Sequence, residues 1–313
     1  MKINPLYIKI LLYAFVLIMI SCSCKSDSHK EKQAEQQVQN VVVKTKQNNN
    51  LPSNLNISFL LDLSDRIDPE KYPNPTMEYY QRDAGYIQAV SEAFTDHIRS
   101  KQLRLVNDKI QLFFDPEPLN PEINNISNQL KFAITRNNLS KELLSKINDM
   151  YTSQPEAIYK HAIADKNYVG SDTWRFFKDK IKDYCIQKNH RNILVVLTDG
   201  YIYHENSKMK EGNRTTYITP QTLKAYKLNT SKWKEKMQNE DLGFIPVNQN
   251  LEKIDILVLG INPNEGNPYE AYIIKEYWSS WLTEMNVKRF EIKNADLPSN
   301  LKTVIHEFIL GQP

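Results

Sequence analysis

From residue 57 to the C-terminus, short apolar runs alternate with longer stretches of mixed polarity. Four of these runs are rich in branched or aromatic side chains, which is typical of buried strands. They are residues 57–61, 110–114, 193–197 and 256–259, and residues 130–134 and 287–292 are weaker candidates. The pattern therefore predicts six strands.

The intervening stretches have apolar residues three and four positions apart, the spacing of amphipathic helices. The predicted helical stripes are Ile87, Val90, Phe94 and Ile98; Leu143, Leu144, Ile147 and Met150; Trp174, Phe177, Ile181, Tyr184 and Cys185; Ile274, Tyr277, Trp278, Trp281 and Met285; and Leu301, Val304, Ile305 and Phe308. One more helix is predicted over residues 222–237. This alternation predicts an α/β fold: a Rossmann-like, doubly wound, mostly parallel six-stranded sheet with helices on both faces.

Residues 57–313 are predicted to form one domain with an insertion at about residues 201–250. The insertion is inferred from the long connection between the strands at 193–197 and 256–259. Connections in α/β units are usually short apart from their helix. The extra chain is expected to lie at the carboxyl end of the sheet.

Residues 1–21 have the pattern of an export signal. A basic start is followed by an unbroken apolar run from Ile10 to Ile20, which is shorter than the about 20 residues of a membrane-spanning helix and typical of a signal peptide. Ser21 before Cys22 resembles the processing site of bacterial lipoproteins, which implies cleavage before Cys22 and its lipidation, with Cys24 as a second candidate. The alternatives are an uncleaved membrane anchor and a simple secreted protein.

Residues 22–56 are rich in Lys, Gln, Asn and Ser and poor in large side chains. Such a segment buries too little apolar surface to offset its ordering entropy, so we expect a flexible tether. Together with the signal, it predicts a lipid-anchored protein of the bacterial cell envelope, facing the periplasm or the exterior.

Charge and cysteine content narrow the classes of function. The formal net charge is +3, too small to predict nucleic-acid binding. Of the three cysteines, only Cys185 lies in the predicted domain, which excludes an intradomain disulfide.

Oxygen-bearing side chains follow two of the predicted strands. Asp62 and Ser64 come directly after the first strand, and Asp199 follows the strand at 193–197. Ser171 and Thr173 precede a predicted helix, whose N-cap would be Ser171 or Asp172. Carboxyl ends of parallel strands share one sheet edge, where ligands bind. Carboxylate and hydroxyl oxygens suit Mg²⁺ or Ca²⁺.

These residues give the domain a resemblance to the von Willebrand factor type A (vWA) family. That family has an Asp-x-Ser-x-Ser metal-ion-dependent adhesion site after its first strand, a Thr in a middle loop and an Asp after its fourth strand. Asp62, Ser64, Thr173 and Asp199 match this pattern. The resemblance implies a strand order of 3-2-1-4-5-6 with an antiparallel third strand, and a metal that accepts a partner's carboxylate.

The second Ser of the family pattern is Arg66 here, and Arg cannot ligate a metal. Arg66 either turns outward and leaves a weakened site, or lies among Asp62, Asp65 and Asp199 and replaces the cation. Ser171, Asp172 and Thr173 are adjacent alternatives for the middle-loop ligand. The direction of the Arg66 side chain therefore distinguishes a metal site from a metal-free one.

The insertion carries aromatic and cationic side chains on the same face as this site. They are Tyr201, Tyr203, His204, Arg214 and Tyr217. Aromatic and Arg side chains often dominate the binding energy of interfaces. The segment is interpreted either as a partner-binding loop or as an ordinary surface hairpin.

The sequence favours a non-enzymatic binding module that engages an unknown protein partner, with a metal-free envelope scaffold as the alternative. It has no visible nucleophile with a paired base and no Gly-rich phosphate loop. A metal-dependent hydrolase using Asp62, Asp199 and His204 is less favoured, because such sites usually draw on more strand tips.

Overall fold

The computed structural model describes residues 53–247 and 250–311. The predicted signal peptide, the lipidation site Cys22 and nearly all of the predicted tether lie outside the described residues. The first strand begins at Asn54, inside the stretch predicted as tether, because Leu55 and Asn56 are already buried in the sheet.

The core of the fold is a six-stranded sheet with the order β3-β2-β1-β4-β8-β9. Its strands are β1 (Asn54–Leu61), β2 (Asn107–Phe113), β3 (Phe132–Thr135), β4 (His190–Leu197), β8 (Ile254–Ile261) and β9 (Phe290–Asn294). Four neighbouring pairs are parallel, and β3 is antiparallel to β2 at one edge. The α/β fold with a mostly parallel central sheet is therefore confirmed, and the sheet is mixed.

Helices cover both faces of this sheet. They are α1 (Tyr79–Ser100), α2 (Pro121–Gln129), α3 (Lys141–Asp165), α4, α5 (Pro220–Ala225), α6 (Trp233–Asn239), α7 (Glu270–Glu284) and α8 (Pro298–Leu310). Helix α4 consists of Thr173–Arg175, a π-helical turn over Phe176–Lys180, and Ile181–Cys185. In the described part of the chain, no helix combines the length and the apolar character of a membrane span.

Alternation along the strands creates two separate apolar cores. In β1, Phe59 and Leu61 pack with helices α1, α3 and α8, whereas Leu60 faces the core formed with α4 and α7. Successive side chains of a strand point to opposite faces, so every central strand must be apolar on both. This explains the unbroken apolar runs in the sequence.

The second core contains a cluster of aromatic rings. The centroid of Trp281 lies 4.8 Å from that of Phe177 and 5.2 Å from that of Phe244, and Trp278 lies 5.9 Å from Trp281. Phe244 belongs to the inserted segment, so this cluster fixes the insertion to helices α4 and α7.

The insertion differs from the single helix expected over residues 222–237. Two short helices, α5 and α6, replace it, and Lys227 between them has a left-handed φ of 52°. The polar run Asn229-Thr230-Ser231 that follows favours turns over helix interiors. A small sheet of β5 (Lys210–Glu211), β6 (Arg214–Thr215) and β7 (Gly243–Phe244) was not predicted.

We expect Trp281→Ala to lower the free energy of unfolding by about 3–5 kcal/mol, because it leaves a cavity among packed rings. Tyr272→Ala is the matched control: it lies on the same helix with 63% of its surface exposed and should change the value by less than about 0.5 kcal/mol. Urea unfolding measures both, and equal losses in the two variants would contradict the packing described here.

Candidate functional site

The ends of β1 and β4 bring Asp62 and Asp199 to the same sheet edge. Leu61 pairs with Leu197 in parallel register, and the Asp62 amide donates to the Leu197 carbonyl at 3.0 Å. The hydroxyl of Thr198 donates to Asp62 Oδ2 at 3.3 Å. Gly200 follows with a φ of 97°, and a Cβ there would lie 2.5 Å from Ile274, so this turn requires glycine.

The Arg66 side chain turns inward beneath this edge, with only 6% of its surface exposed. A tight helical turn over Asp65–Ile67 carries it back. Its Nη2 donates to Asp83 Oδ2 at 2.6 Å and to the Leu197 carbonyl at 3.1 Å, and its Nε lies 3.4 Å from Asp62 Oδ2. Of the two orientations considered from the sequence, the Arg66 side chain therefore takes the inward one.

The second carboxylate on Arg66 is Asp83 of helix α1, which is 1% exposed. Tyr159 of helix α3 donates to Asp83 Oδ2 at 3.0 Å. Asp65, proposed from the sequence as a member of the cluster, instead pairs with Lys71 at 3.0 Å near the surface. Asp83 was missed, although it lies one helical turn before Ile87 on an otherwise apolar stripe, where a charged residue signals a buried pair.

Burial dominates the electrostatics of these carboxyls. It raises the pKa of Asp83, and the Arg66 guanidinium opposes that rise. Burial also raises the pKa of Asp199 to about 7; the charge of Asp62 adds to this shift, and Arg66 opposes it. Asp199 Oδ1 accepts from the Tyr201 amide at 3.0 Å. Within the described residues, Asp199 forms no ion pair.

The side chains at this edge do not fit a divalent cation. Arg66 holds a fixed positive charge against Asp62, whose Oδ1 also accepts from the Ser64 amide at 2.8 Å. Ser171 Oγ and Thr173 Oγ1 bond each other at 2.9 Å. The described part of the chain has no group of three or more His, Cys, Asp or Glu side chains placed to hold a metal. The assignment of metal ligands stays a prediction.

Asp172 is fully buried and joins the insertion to helix α4. It accepts from the Arg175 amide at 3.3 Å as the N-cap, which is the capping role predicted from the sequence. Its Oδ1 also accepts from Ser207 at 2.7 Å, and its Oδ2 lies 3.3 Å from His204 Nδ1. The start of the insertion is thereby held against the sheet edge.

A cleft of about 1150 Å³ opens over this edge. Its walls come from segments within residues 62–79, 166–171, 199–205, 219–221 and 262–265. Tyrosines line it more than any other residue type: Tyr72, Tyr79, Tyr168, Tyr201 and Tyr203. Asp62, Ser64, Ser171 and Asp199 face this cleft, whereas Thr173 is 2% exposed beside it.

The predicted partner-binding residues divide between two places. Tyr201, Tyr203 and His204 line the cleft, and Tyr217 supports Tyr203 with ring centroids 6.1 Å apart. Arg214 lies on β6, where it pairs with Asp241 and Glu284 at 2.9 Å each. Arg214 thus connects the small sheet to helix α7 and takes no part in the cleft.

Three lining tyrosines, Tyr72, Tyr79 and Tyr168, were not predicted as site residues, because none of them lies at a strand tip. Tyr72 follows β1 in a Pro-rich loop, and Tyr168 precedes α4, where its hydroxyl donates to Asp68 at 2.7 Å. The fold brings both segments to the cleft beside the insertion. No spacing along the sequence links them to Asp199.

Comparison with known proteins gives little beyond the fold. No family model matches the chain, and no curated protein matches it. Among solved structures, the pilus adhesin SpaC from Lactobacillus rhamnosus GG is similar with a TM-score of 0.35 and 9% sequence identity, over 83% of this chain and 31% of that one. The chain thus spans about a third of that adhesin, and a similarity at this level carries no argument about function.

We expect Arg66→Met to lower the free energy of unfolding by about 3–5 kcal/mol at neutral pH, because it leaves buried carboxylates without a cation. Removing Arg66 also raises the pKa of Asp83 further. When a carboxyl has a higher pKa in the folded than in the unfolded state, the protein loses stability as the pH rises between these two pKa values. The deficit should therefore be larger at about pH 8 than at about pH 5.

Urea unfolding at the two pH values measures this effect. Lys71→Met is the matched control, because its pair with Asp65 is half-exposed and solvent-exposed ion pairs contribute little to stability. A deficit that is independent of pH would show that the loss comes from packing alone.

Proposed function

We propose that the protein is an exported, membrane-anchored binding module that engages a protein partner through the cleft at the carboxyl edge of its sheet, without a divalent metal. One observation carries this proposal: an open, tyrosine-lined cleft lies over a buried Arg66 that already neutralises the carboxylate at the tip of β1. The cleft offers a binding surface, and Arg66 removes the need for a cation.

The proposal assigns the domain to a vWA-like architecture. Support comes from the strand order β3-β2-β1-β4-β8-β9 with an antiparallel edge strand. Asp62, Ser64 and Asp199 also lie at the strand tips where the family has its adhesion site. In this proposal Arg66 takes the electrostatic place of the metal.

Binding is favoured over catalysis by the state of the side chains. Asp62 is ion-paired, and His204 is directed at Asp172 rather than at Asp199, so the trio considered for a hydrolase is not assembled. Tyr72 and Tyr203 are 46% and 43% exposed at the cleft. Exposed aromatic rings in a concave site are typical of interface anchors, which favours a binding module over a passive scaffold.

The membrane anchor in this proposal is the lipid on Cys22, followed by the tether to Asn54. The pattern of residues 1–21, typical of an export signal, supports this assignment. The partner is therefore expected to be another envelope or external protein.

We expect calorimetric titration of millimolar Mg²⁺, Ca²⁺ or Mn²⁺ into the full chain in detergent micelles to give no heat of binding, because the Arg66 charge opposes cation entry. Asp62→Ala serves as the control for any heat observed. Saturable binding by the wild-type chain that disappears in Asp62→Ala would contradict a metal-free site.

We expect a photo-reactive amino acid at Tyr72 or Tyr203 to cross-link to the same envelope protein in source cells, and to do so equally with and without EDTA. The matched control is the same amino acid at Tyr272, which is 63% exposed on helix α7 away from the cleft. Mass spectrometry identifies the products. Cross-links from Tyr272 but from neither cleft position would contradict the proposed binding surface.

A further inference from the structure

We infer that the cleft receives a cationic side chain of the partner, a lysine or an arginine, with the Asp199 carboxylate as its counter-ion. This inference rests on the proposed function, since it names the chemistry of the partner at the same cleft. It reverses the charge that the adhesion-site pattern implies, in which a metal accepts a carboxylate.

The charge balance of the cleft carries the inference. Among its carboxylates, Asp62 is held by Arg66 and Asp65 by Lys71, and Glu205 accepts a hydrogen bond from Tyr203. Asp199 and Glu265 also line the cleft, and neither forms an ion pair within the described part of the chain. Negative charge without a counter-ion therefore faces the opening.

Asp199 is the stronger of these two anchors because it is half-buried and held in place. Its Oδ1 accepts from the Tyr201 amide, and the Tyr201 hydroxyl is itself fixed by Glu270 and by the Asn264 amide. A carboxylate in such a low-dielectric position interacts more strongly with a cation than an exposed one does.

Aromatic rings beside Asp199 suit the same ligand. Burial raises the pKa of Tyr72, and the charges of Asp65 and Asp199 raise it further, so its phenol lies within electrostatic reach of both carboxylates. Tyr72 is 46% exposed, which leaves its ring available. An ammonium or guanidinium between a carboxylate and a tyrosine ring gains both an ion pair and a cation–π contact.

An anionic side chain would meet the opposite situation. It would approach the unpaired carboxylates Asp199 and Glu265, while Arg66 is already occupied by Asp83 and by the carbonyls of Asp62 and Leu197. Lys71 and Lys166, which also line the cleft, are paired with Asp65 and Glu70. Repulsion from the unpaired carboxylates therefore disfavours an acidic anchor at this position.

The test is selection of phage-displayed random heptapeptides on the full chain in detergent micelles. Selected peptides are then synthesised, and their binding is measured by fluorescence anisotropy. The variants are Asp199→Asn, the loop variant Glu265→Gln, the ring variant Tyr72→Ala and the control Asp179→Asn, which changes an exposed carboxylate on helix α4 outside the cleft.

The expected result is enrichment of Lys or Arg at one peptide position, with binding at least tenfold weaker to Asp199→Asn and unchanged for Asp179→Asn. The folding of Asp199→Asn is checked by thermal unfolding. Glu265→Gln changes a residue in an exposed loop and should weaken binding a few-fold. This variant tests the inference if Asp199→Asn does not fold.

Peptides with acidic or apolar anchors that bind less well to Tyr72→Ala would overturn this inference and leave the proposed function standing. Lys- or Arg-containing peptides that bind equally to Asp199→Asn and Glu265→Gln would also overturn it. If no selected peptide depends on Tyr72, the cleft is not a peptide-binding site and the proposed function falls as well.

Discussion

Three carboxylates, those of Asp62, Asp83 and Asp199, lie within electrostatic reach of the buried Arg66 guanidinium. Desolvation opposes charge on each of these groups, and Arg66 with its hydrogen bonds makes their burial tolerable. The same side chain donates hydrogen bonds to the carbonyls of Asp62 and Leu197. Asp62 directly follows β1, and Leu197 is the last residue of β4. One cation therefore sets both the charge of the sheet edge and the way two strands end together.

The excess of carboxylates over cations around Arg66 has a further effect. Arg66 offsets Asp62 and Asp83 directly, and Tyr159 adds a hydrogen bond to Asp83, which leaves Asp199 to titrate near neutrality. Arg66 thus neutralises only part of the negative charge at this sheet edge. Of these three carboxylates, Asp199 forms no ion pair among the described residues, and it lines the cleft.

The centre of the sheet and most helices could be predicted from periodicity, because strands β1, β4 and β8 are buried on both faces and every long helix is buried on one. The antiparallel edge strand β3 was visible only as a weak apolar run. The insertion could not be predicted: Lys227 in a left-handed conformation and two-residue strands leave no periodic signal. At the site, strand tips marked Asp62 and Asp199, but Asp83 and Tyr159 join them only through helix packing that no local pattern encodes.

Strand β1 runs from Asn54, where the chain enters the domain, to Leu61 at the cleft edge. At about 3.3 Å per residue, this central strand crosses the domain in a single pass of roughly 25 Å. The point of chain entry and the cleft consequently lie at opposite ends of the same strand. A force applied between Asn54 and the cleft edge would load β1 lengthwise, between two parallel neighbours that resist it in shear.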